Sequence, residues 1–473
     1  MDIVKDKRVL VVGLARSGLA AASFLRRRGA LVTITDRLPE AELGAAVEQA
    51  RRLGCSLALG GHPQELFTGA DLIVLSPGVP LDLPQLAAAR ARGVSVTGEF
   101  ELACRHLSLP MVAVTGTNGK TTTTTLIGDM LKRSGRPVFV GGNIGNPLIS
   151  LLEEAEMPEL AVVEVSSFQL DVMEIFHPRV AVLLNITEDH LDRYPSFDAY
   201  VASKCLIFAR QIEEDMAVLP ADDPLVMGRC APRGRRLLFS RNRSSADAYV
   251  SGNRLICRGA GEEIHSYDLG GWHLAGHHNL ENLLAAVLAA TAVAASPDAI
   301  QESINEFRGL PHRLELVHQW RGIRFYNDSK ATNVDAVVRS LESFTEPIVL
   351  IAGGRDKGGS YVPLVPLVKE RVKMLVLMGE ARFLMAKSLG HLTCTVVVET
   401  MGDAVQVAIR AAVPGDVVLL SPACSSFDLY ENYAARGDHF RCLVHELTAG
   451  QGRDTNGCSG LWTVVDTPGG RRS

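Results

Sequence analysis

A short apolar run over residues 112–115 stops at Gly116-Thr117-Asn118-Gly119-Lys120-Thr121 and gives way to a helical stretch closed by Gly135. A strand that ends in glycines, a lysine and a threonine and then opens a helix has few folded forms and a specific physical use. The glycines let backbone N–H groups approach an anion, and the helix N-terminus adds positive potential. Lys120 supplies a full charge, and the Thr121 hydroxyl can ligate Mg²⁺. The arrangement suits the phosphates of ATP. It departs from the G-x-x-x-x-G-K-[ST] pattern, because Val114 occupies the first glycine position, so the loop is a variant. The plain alternative is a Gly-rich turn before a helix, and the Lys-Thr pair at the right place argues against it. Thr121 to Thr125 are poor helix formers, which favours a role for at least the first.

Short β-branched runs alternate with Ala/Leu-rich stretches along the chain, the pattern of parallel sheets with crossover helices, so the class is α/β. One βαβ opening runs from a strand over 9–12 through a turn at 13–18 and a helix to Arg28, then a strand ending at Asp36. The phosphate loop marks a second. A third begins after Phe307-Arg308-Gly309-Leu310-Pro311, with strands over 323–326, 348–352, 374–378 and 417–420. A chain of 473 residues accommodates about three domains at roughly 150 residues each. We expect them over 1–100, 101–308 and 309–449, with a mobile tail over 450–473. The apolar stretch 283–295 is short of the ~20 residues that span a bilayer and reads as a buried helix, so no membrane insertion is expected. A net charge of −5 gives no overall attraction to polyanions, which disfavours nucleic acid and makes local cations informative. Nine cysteines without metal-like spacing read as reduced thiols. No export signal is recognisable, so the cytoplasm is the expected compartment.

Polar residues crowd the ends of the expected strands. Glu164 follows the apolar run 160–163 and could hold a metal ion, or simply cap a strand. A strand over 180–185 feeds Thr187-Glu188-Asp189-His190-Leu191-Asp192-Arg193, where His190 could bind metal or an anion. Gly276-His277-His278-Asn279-Leu280-Glu281-Asn282 opens the Ala-rich helix, with Asn279 a possible N-cap. In the last domain His312-Arg313, Asn327-Asp328-Ser329-Lys330-Ala331-Thr332-Asn333, Gly353-Gly354-Arg355-Asp356-Lys357-Gly358-Gly359 and the stretch from Ser421 to Asp428 lie in loops. Three of these follow three strands and could form one edge. Solvated loop charge is the bland reading of each.

Taken together, Gly116-Thr-Asn-Gly-Lys-Thr, Gly141-Gly-Asn-Ile-Gly, Glu164-Val-Ser-Ser-Phe-Gln, Thr187-Glu-Asp-His, His278-Asn-x-x-Asn, His312-Arg and Asp328-Ser-Lys-Ala-Thr-Asn resemble the Mur ligase family over residues 8 to 448. The resemblance implies three α/β domains: a Rossmann-like N-terminal domain, a central P-loop-type ATPase domain and a Rossmann-like C-terminal domain. It implies an ATP-driven amide ligation in which a substrate carboxylate attacks the γ-phosphate and an amino-acid amine displaces the resulting acyl phosphate. It assigns Lys120 and Thr121, with Gly116, Thr117, Asn118 and Gly119, to ATP phosphates and Mg²⁺, and Asn282, Arg313, Asp328 and Lys330 to ATP. Glu164 and His190 fall to metal ions, and Lys204 matches a family lysine that carries a carbamate and so becomes a metal-binding anion. Lys120, His190 and Lys204 are thereby the expected catalytic residues. Metal is needed because the carboxylate and the ATP phosphates repel one another until their charge is shared.

Within the family, the chain is most similar to members that join D-glutamate to UDP-N-acetylmuramoyl-L-alanine. Ala15 replaces the middle glycine of the dinucleotide fingerprint, which disfavours NAD. In those members the N-terminal domain holds the uridine nucleotide, implying Arg16, Ser17, Asp36, Arg37, Ser76 and Gly78, with Asn143 and Gln169, as nucleotide-sugar contacts. Thr332, Lys357, Ser426, Phe427 and Tyr433 are implied for the incoming amino acid, Lys357 pairing with a carboxylate. The Asp-Asn-Pro-Arg tetrapeptide of diaminopimelate-adding members is absent. A sister ligase for another amino acid and a non-catalytic nucleotide switch are the alternatives. A monomer is expected.

Overall fold

Apolar β-branched runs become the central strands of three sheets in a computed structural model of the chain, which describes residues 4–191, 193–259, 261, 263–450 and 463–464. The first sheet is parallel, in the order Ser56–Leu59, Leu31–Asp36, Arg8–Val12, Leu72–Leu75, Ser95–Gly98. The second has nine strands. Ala248–Ser251, Arg235–Ser240, Met216–Pro220, Val180–Leu183, Met111–Thr115, Leu160–Glu164 and Val138–Gly142 are parallel neighbours in that order, and Arg254–Arg258 and Ile264–Asp268 extend the sheet antiparallel beyond Ala248–Ser251. The third runs Glu315–Trp320, Ile323–Asn327, Val417–Leu420, Ile348–Gly353, Val372–Met378, Cys394–Val397, with Thr463–Val464 at its far edge.

The strands Met111–Thr115, Leu160–Glu164 and Ile348–Gly353 are buried at every residue, as expected where helices cover both faces of a parallel sheet. Each Val or Leu removed from water there stabilises the fold by about 1.5–3 kcal/mol. By contacts the chain forms two compact units. The first carries the five- and nine-stranded sheets, and one continuous apolar core joins them, from Val9 and Phe24 through Phe100 and Leu148 to Ala161 and Tyr200. The second carries the seven-stranded sheet together with residues 187–191 and 272–280. It has cores on both faces of its sheet, one around Leu350 and Leu377 and one around Val349 and Val376.

Several sequence expectations need correction. The strand expected over 180–185 ends at Leu183, because Leu184 and Asn185 turn their backbone to the phosphate loop: the Leu184 N–H donates to the Thr115 carbonyl, and the Thr117 N–H donates to the Asn185 carbonyl. Asn279 is not an N-cap. The helix His277–Ala292 starts two residues before it, and its Nδ2 donates to the Ala275 carbonyl at 2.7 Å. Of the Ala-rich stretch expected as a buried helix over 283–295, Leu283 to Ala290 are helical and fully inaccessible, and the helix ends at Ala292. The mobile tail expected over 450–473 lies outside the described residues except at its start and at Thr463–Val464, which pair antiparallel with Cys394–Val397.

Candidate functional site

In the first unit the candidate groups gather where parallel strands end, the edge at which open α/β sheets bind ligands. The phosphate loop leaves Met111–Thr115 and enters the helix Lys120–Arg133 through Gly119, whose φ of +87° favours glycine. A Cβ at Gly119 would lie 2.1 Å from Asn282 Oδ1, so the buried Asn282 packs directly on the loop. Its N-cap residue is Gly119, which carries no side chain to cap it, and the first turn of the helix adjoins the loop. Lys120 Nζ donates to the carbonyls of Gly116 and Thr117, both at 2.8 Å, within reach of an anion held by the loop. Asn185 braces the loop from the neighbouring strand: its Oδ1 accepts from the Asn118 N–H at 2.9 Å and its Nδ2 donates to the Asn118 carbonyl at 3.0 Å.

Glu164 ends its strand almost fully buried and is no solvated cap. Its Oε2 accepts from Thr121 Oγ1 at 2.8 Å and its Oε1 from Asn143 Nδ2 at 2.9 Å. A carboxylate and a hydroxyl beside a phosphate loop are hard oxygen donors of the kind Mg²⁺ takes alongside phosphates and water. Lys204, on the helix Phe197–Cys205, is also buried, and its Nζ donates to the Gly116 carbonyl at 2.8 Å and stands 4.5 Å from the Tyr200 ring centre. Tyr200, whose hydroxyl lies 3.2 Å from Thr117 Oγ1, thus belongs to the site. Neither Asn185 nor Tyr200 was singled out in the sequence. Their signal, a polar residue just past a strand and one helical turn before Lys204, is too common to stand out.

The N-terminal turn is held by Asp36, which accepts from the Leu14 N–H at 2.7 Å and the Leu38 N–H at 2.9 Å. Each carboxylate oxygen therefore organises a loop in addition to any ligand contact. Ser76 Oγ donates to the Gly13 carbonyl. Gly18 is required here, since a Cβ on it would fall 2.0 Å from that carbonyl oxygen. Arg16 Nη1 donates to the Gly145 carbonyl at 2.7 Å and Arg193 donates to the carbonyls of Gly78 and Val79, tying this turn to the central domain. Arg37 and Gly78 are exposed and Ser17 is half-buried at the same sheet edge. Gln169 closes a capping box with Ser166 at the helix Ser167–Leu170.

In the second unit, strands Ile323–Asn327, Val417–Leu420 and Ile348–Gly353 are neighbours, so the three loops that follow them share one edge. A cavity of about 340 Å³ there brings together Asp189, His190, Thr332, Lys357 and Tyr361. Lys357 Nζ is 3.4 Å from Thr332 Oγ1. His190 adopts φ +57°, and its N–H donates to Asp189 Oδ1 at 2.9 Å. Asn333 Nδ2 donates to Asp189 Oδ2 at 3.0 Å. Burial would raise the Asp189 pKa, but the charges of His190 and Lys357 and these hydrogen bonds outweigh it and hold the carboxyl below its ordinary value.

Asp328 is buried. It accepts from Ser340 Oγ at 2.5 Å, Ser421 Oγ at 2.8 Å and the Leu314 N–H at 3.2 Å, and burial pushes its pKa up to about 6. Its carboxylate organises the loops around Arg313 and Ser421. Lys330 lies 3.8 Å over the Tyr433 ring. Ser426 is buried, with its carbonyl accepting from the Leu429 and Tyr430 N–H groups, whereas Phe427 is 63% exposed; neither lines the cavity. Arg436, missed in the sequence, is a buried cation whose guanidinium binds the carbonyls of Ser329, Cys424 and Ser425, and burial lowers its pKa to about 10. His278 is half-buried, and desolvation, with Arg339 nearby, lowers its pKa to about 3.

Three family models match in succession: the Mur ligase MurD-like N-terminal domain over residues 7–98, the Mur ligase middle domain over 114–290 and the Mur ligase glutamate ligase domain over 312–424. The UDP-N-acetylmuramoylalanine--D-glutamate ligase of Geotalea daltonii is 48% identical over 95% of this chain and 100% of its own length. That of Desulfosudis oleivorans is 49% identical over 94% of this chain and 98% of its own. Among solved structures, a UDP-N-acetylmuramate-alanine ligase from Thermotoga maritima shares the fold at TM-score 0.61 and 21% identity, covering 94% of this chain and 99% of that one. A pseudomurein peptide ligase type C from Methanothermus fervidus does so at TM-score 0.59 and 20% identity, covering 93% and 100%. With three family domains in order on three α/β sheets, and near-half identity to full-length relatives, this chain belongs to the Mur ligase family.

Proposed function

We propose that this chain joins D-glutamate to UDP-N-acetylmuramoyl-L-alanine with consumption of ATP, a step of peptidoglycan precursor synthesis. The observation that carries this reading is the identity of about 48% over 95% of the chain to relatives bearing that activity in their names. The phosphate loop supplies a physical reason to expect phosphoryl chemistry. In the proposed reaction the alanyl carboxylate oxygen attacks the γ-phosphorus of ATP, ADP leaves, and the D-glutamate amine then attacks the acyl carbon and expels phosphate.

Lys120, the Gly116–Gly119 backbone and the start of the helix that follows hold the ATP phosphates, with Asn282 shaping the loop. Thr121 and Glu164 would hold Mg²⁺ in the first unit, and the resemblance gives His190 and a carbamylated Lys204 as metal ligands as well. A divalent ion there would supply the positive charge that lets a carboxylate approach the phosphate oxygens. Arg313, Asp328 and Lys330 serve the nucleotide. Arg16, Ser17, Asp36, Arg37, Ser76, Gly78, Asn143 and Gln169 hold the nucleotide sugar. Thr332 and Lys357 receive the amino acid in the 340 Å³ cavity, the Lys357 ammonium meeting a carboxylate. Ser426, Phe427 and Tyr433 flank that domain's loops. The proposal places the enzyme in the cytoplasm, where ATP and nucleotide sugars are made, and as a monomer, since one chain carries every group assigned.

The test supplies ATP, Mg²⁺ and UDP-N-acetylmuramoyl-L-alanine and follows ADP release with D-glutamate, L-glutamate, L-alanine or diaminopimelate in turn. ADP release that depends on D-glutamate is expected. Release with another amino acid alone, or with none, sinks the assignment.

A further inference from the structure

Among the buried polar atoms of the first unit that have no protein partner among the described residues, two belong to side chains on the wall of one small cavity: Glu99 Oε2 and Gln169 Nε2. Glu99 and Gln169 are only 2% and 3% exposed. Leaving such atoms unsatisfied is costly, and native interiors relieve the cost with protein groups or water.

The orientation of the Gln169 carboxamide follows from its neighbours. Its Oε1 accepts from both the N–H and the hydroxyl of Ser166, each at 3.0 Å, so a flipped amide would set N–H against N–H. Nε2 is therefore the end left to face away from the cap. Glu99 is held at its other oxygen, where Oε1 accepts from the Ile149 N–H at 2.8 Å. Ser76 lines the same cavity, and because its Oγ donates to the Gly13 carbonyl it still offers a lone pair. The cavity leaves about 10 Å³ for the centre of a water molecule, room for a single one. One water can accept from Gln169 Nε2 and donate to Glu99 Oε2 and to Ser76 Oγ, the three bonds a buried water commonly makes. Burial also pushes the Glu99 pKa up to about 7, and the protonated acid can donate to that water instead.

We propose that Glu99 is a positioning residue of the nucleotide-sugar site: with Gln169 and Ser76 it holds one buried water that sets the Gln169 carboxamide and the Ser76-Pro77-Gly78 turn for the sugar nucleotide. The inference rests on the proposed substrate. Glu99 acts through its neighbours and touches no reacting atom. Its carboxyl joins the N-terminal domain's substrate turn to the central domain's capping box, two elements that approach each other in the same compact unit.

The test measures binding of UDP-N-acetylmuramoyl-L-alanine by calorimetry, and KM for each substrate, in wild type, Glu99→Gln, Glu99→Leu, Gln169→Leu and the Glu99→Leu/Gln169→Leu double variant. Glu99→Leu is expected to weaken nucleotide-sugar binding by about tenfold, the loss of one or two buried bonds, with KM for ATP unchanged. Glu99→Gln, which keeps a polar neutral group of the same size, should restore affinity to within about threefold. The double variant should be no worse than the weaker single one, because both remove the same water. Equal losses in Glu99→Gln and Glu99→Leu, additive losses in the double variant, or parallel loss of ATP affinity overturns the inference. Thermal unfolding of the same variants must show the same non-additivity, a readout independent of substrate. Wild-type protein that does not bind the nucleotide sugar defeats the proposed function instead.

Discussion

The ammonium of Lys204 and that of Lys120 donate to one acceptor, the carbonyl oxygen of Gly116, each at 2.8 Å. Two cations brought to a single carbonyl repel each other, an arrangement that favours an anion between them or the conversion of one lysine to a neutral or negative group. Lys204 is the buried member, and the family resemblance gives it a carbamate. Under this proposal, activity measured in carbon-dioxide-free alkaline buffer should fall and bicarbonate should restore it. Lys204→Met should lower kcat by about a hundredfold or more and show no bicarbonate response. Bicarbonate-insensitive wild-type turnover would remove the carbamate from the scheme.

Gly119→Ala tests the loop itself. The substitution places a Cβ 2.1 Å from Asn282 Oδ1 at a backbone φ of +87°, a left-handed conformation that costs a non-glycine residue about 1–2 kcal/mol before the clash is counted. KM for ATP should rise by about tenfold or more, given that conformational cost alone. Adding Asn282→Gly should recover only the part due to the clash. ATP kinetics and unfolding of the single and double variants separate the two terms.

The Thr121–Glu164 pair predicts a metal dependence. Chelation with EDTA should abolish ADP formation, and Mg²⁺ should restore it. Thr121→Val removes the hydroxyl that donates to Glu164 Oε2, and the Mg²⁺ concentration for half-maximal activity should rise by about 10- to 100-fold. A Mg²⁺ titration with an unshifted midpoint would rule out this oxygen pair as the metal site.

His278 sets a pH dependence of stability. Burial lowers its pKa to about 3 in the folded protein, against about 6.5 when unfolded. Between those values the unfolded chain takes up the proton and the folded one does not. His278 therefore costs stability as pH falls from about 6.5 towards 3, by at most about 1.4 kcal/mol per pH unit. Asp328, raised to about 6, works the other way, since its folded form takes up the proton first. Chemical denaturation of wild type and His278→Gln between pH 7 and 4 isolates the His278 share. The variant should lose less stability on acidification, and equal slopes would contradict the assignment.

What the residue order alone determined was the alternation of buried strands with covering helices and the few places where glycine, lysine and carboxylate sit at strand ends. Periodicity and φ requirements are local, so Gly116 to Thr121, Glu164 and the helix through Leu283 to Ala290 were legible without coordinates. Expectations that depend on which strand lies beside which were not legible. Asn185 braces Asn118 across 67 positions, Glu99 and Gln169 face one cavity from different elements, and Arg436 reaches Ser329 across 107. Strand adjacency also shortened the strand after Val180, since Asn185 is drawn to the loop. Burial, too, is a tertiary quantity. Only the packed fold turned Glu164 from a possible surface cap into a buried carboxylate, and gave Glu99, His278 and Asp328 pKa values displaced by loss of water.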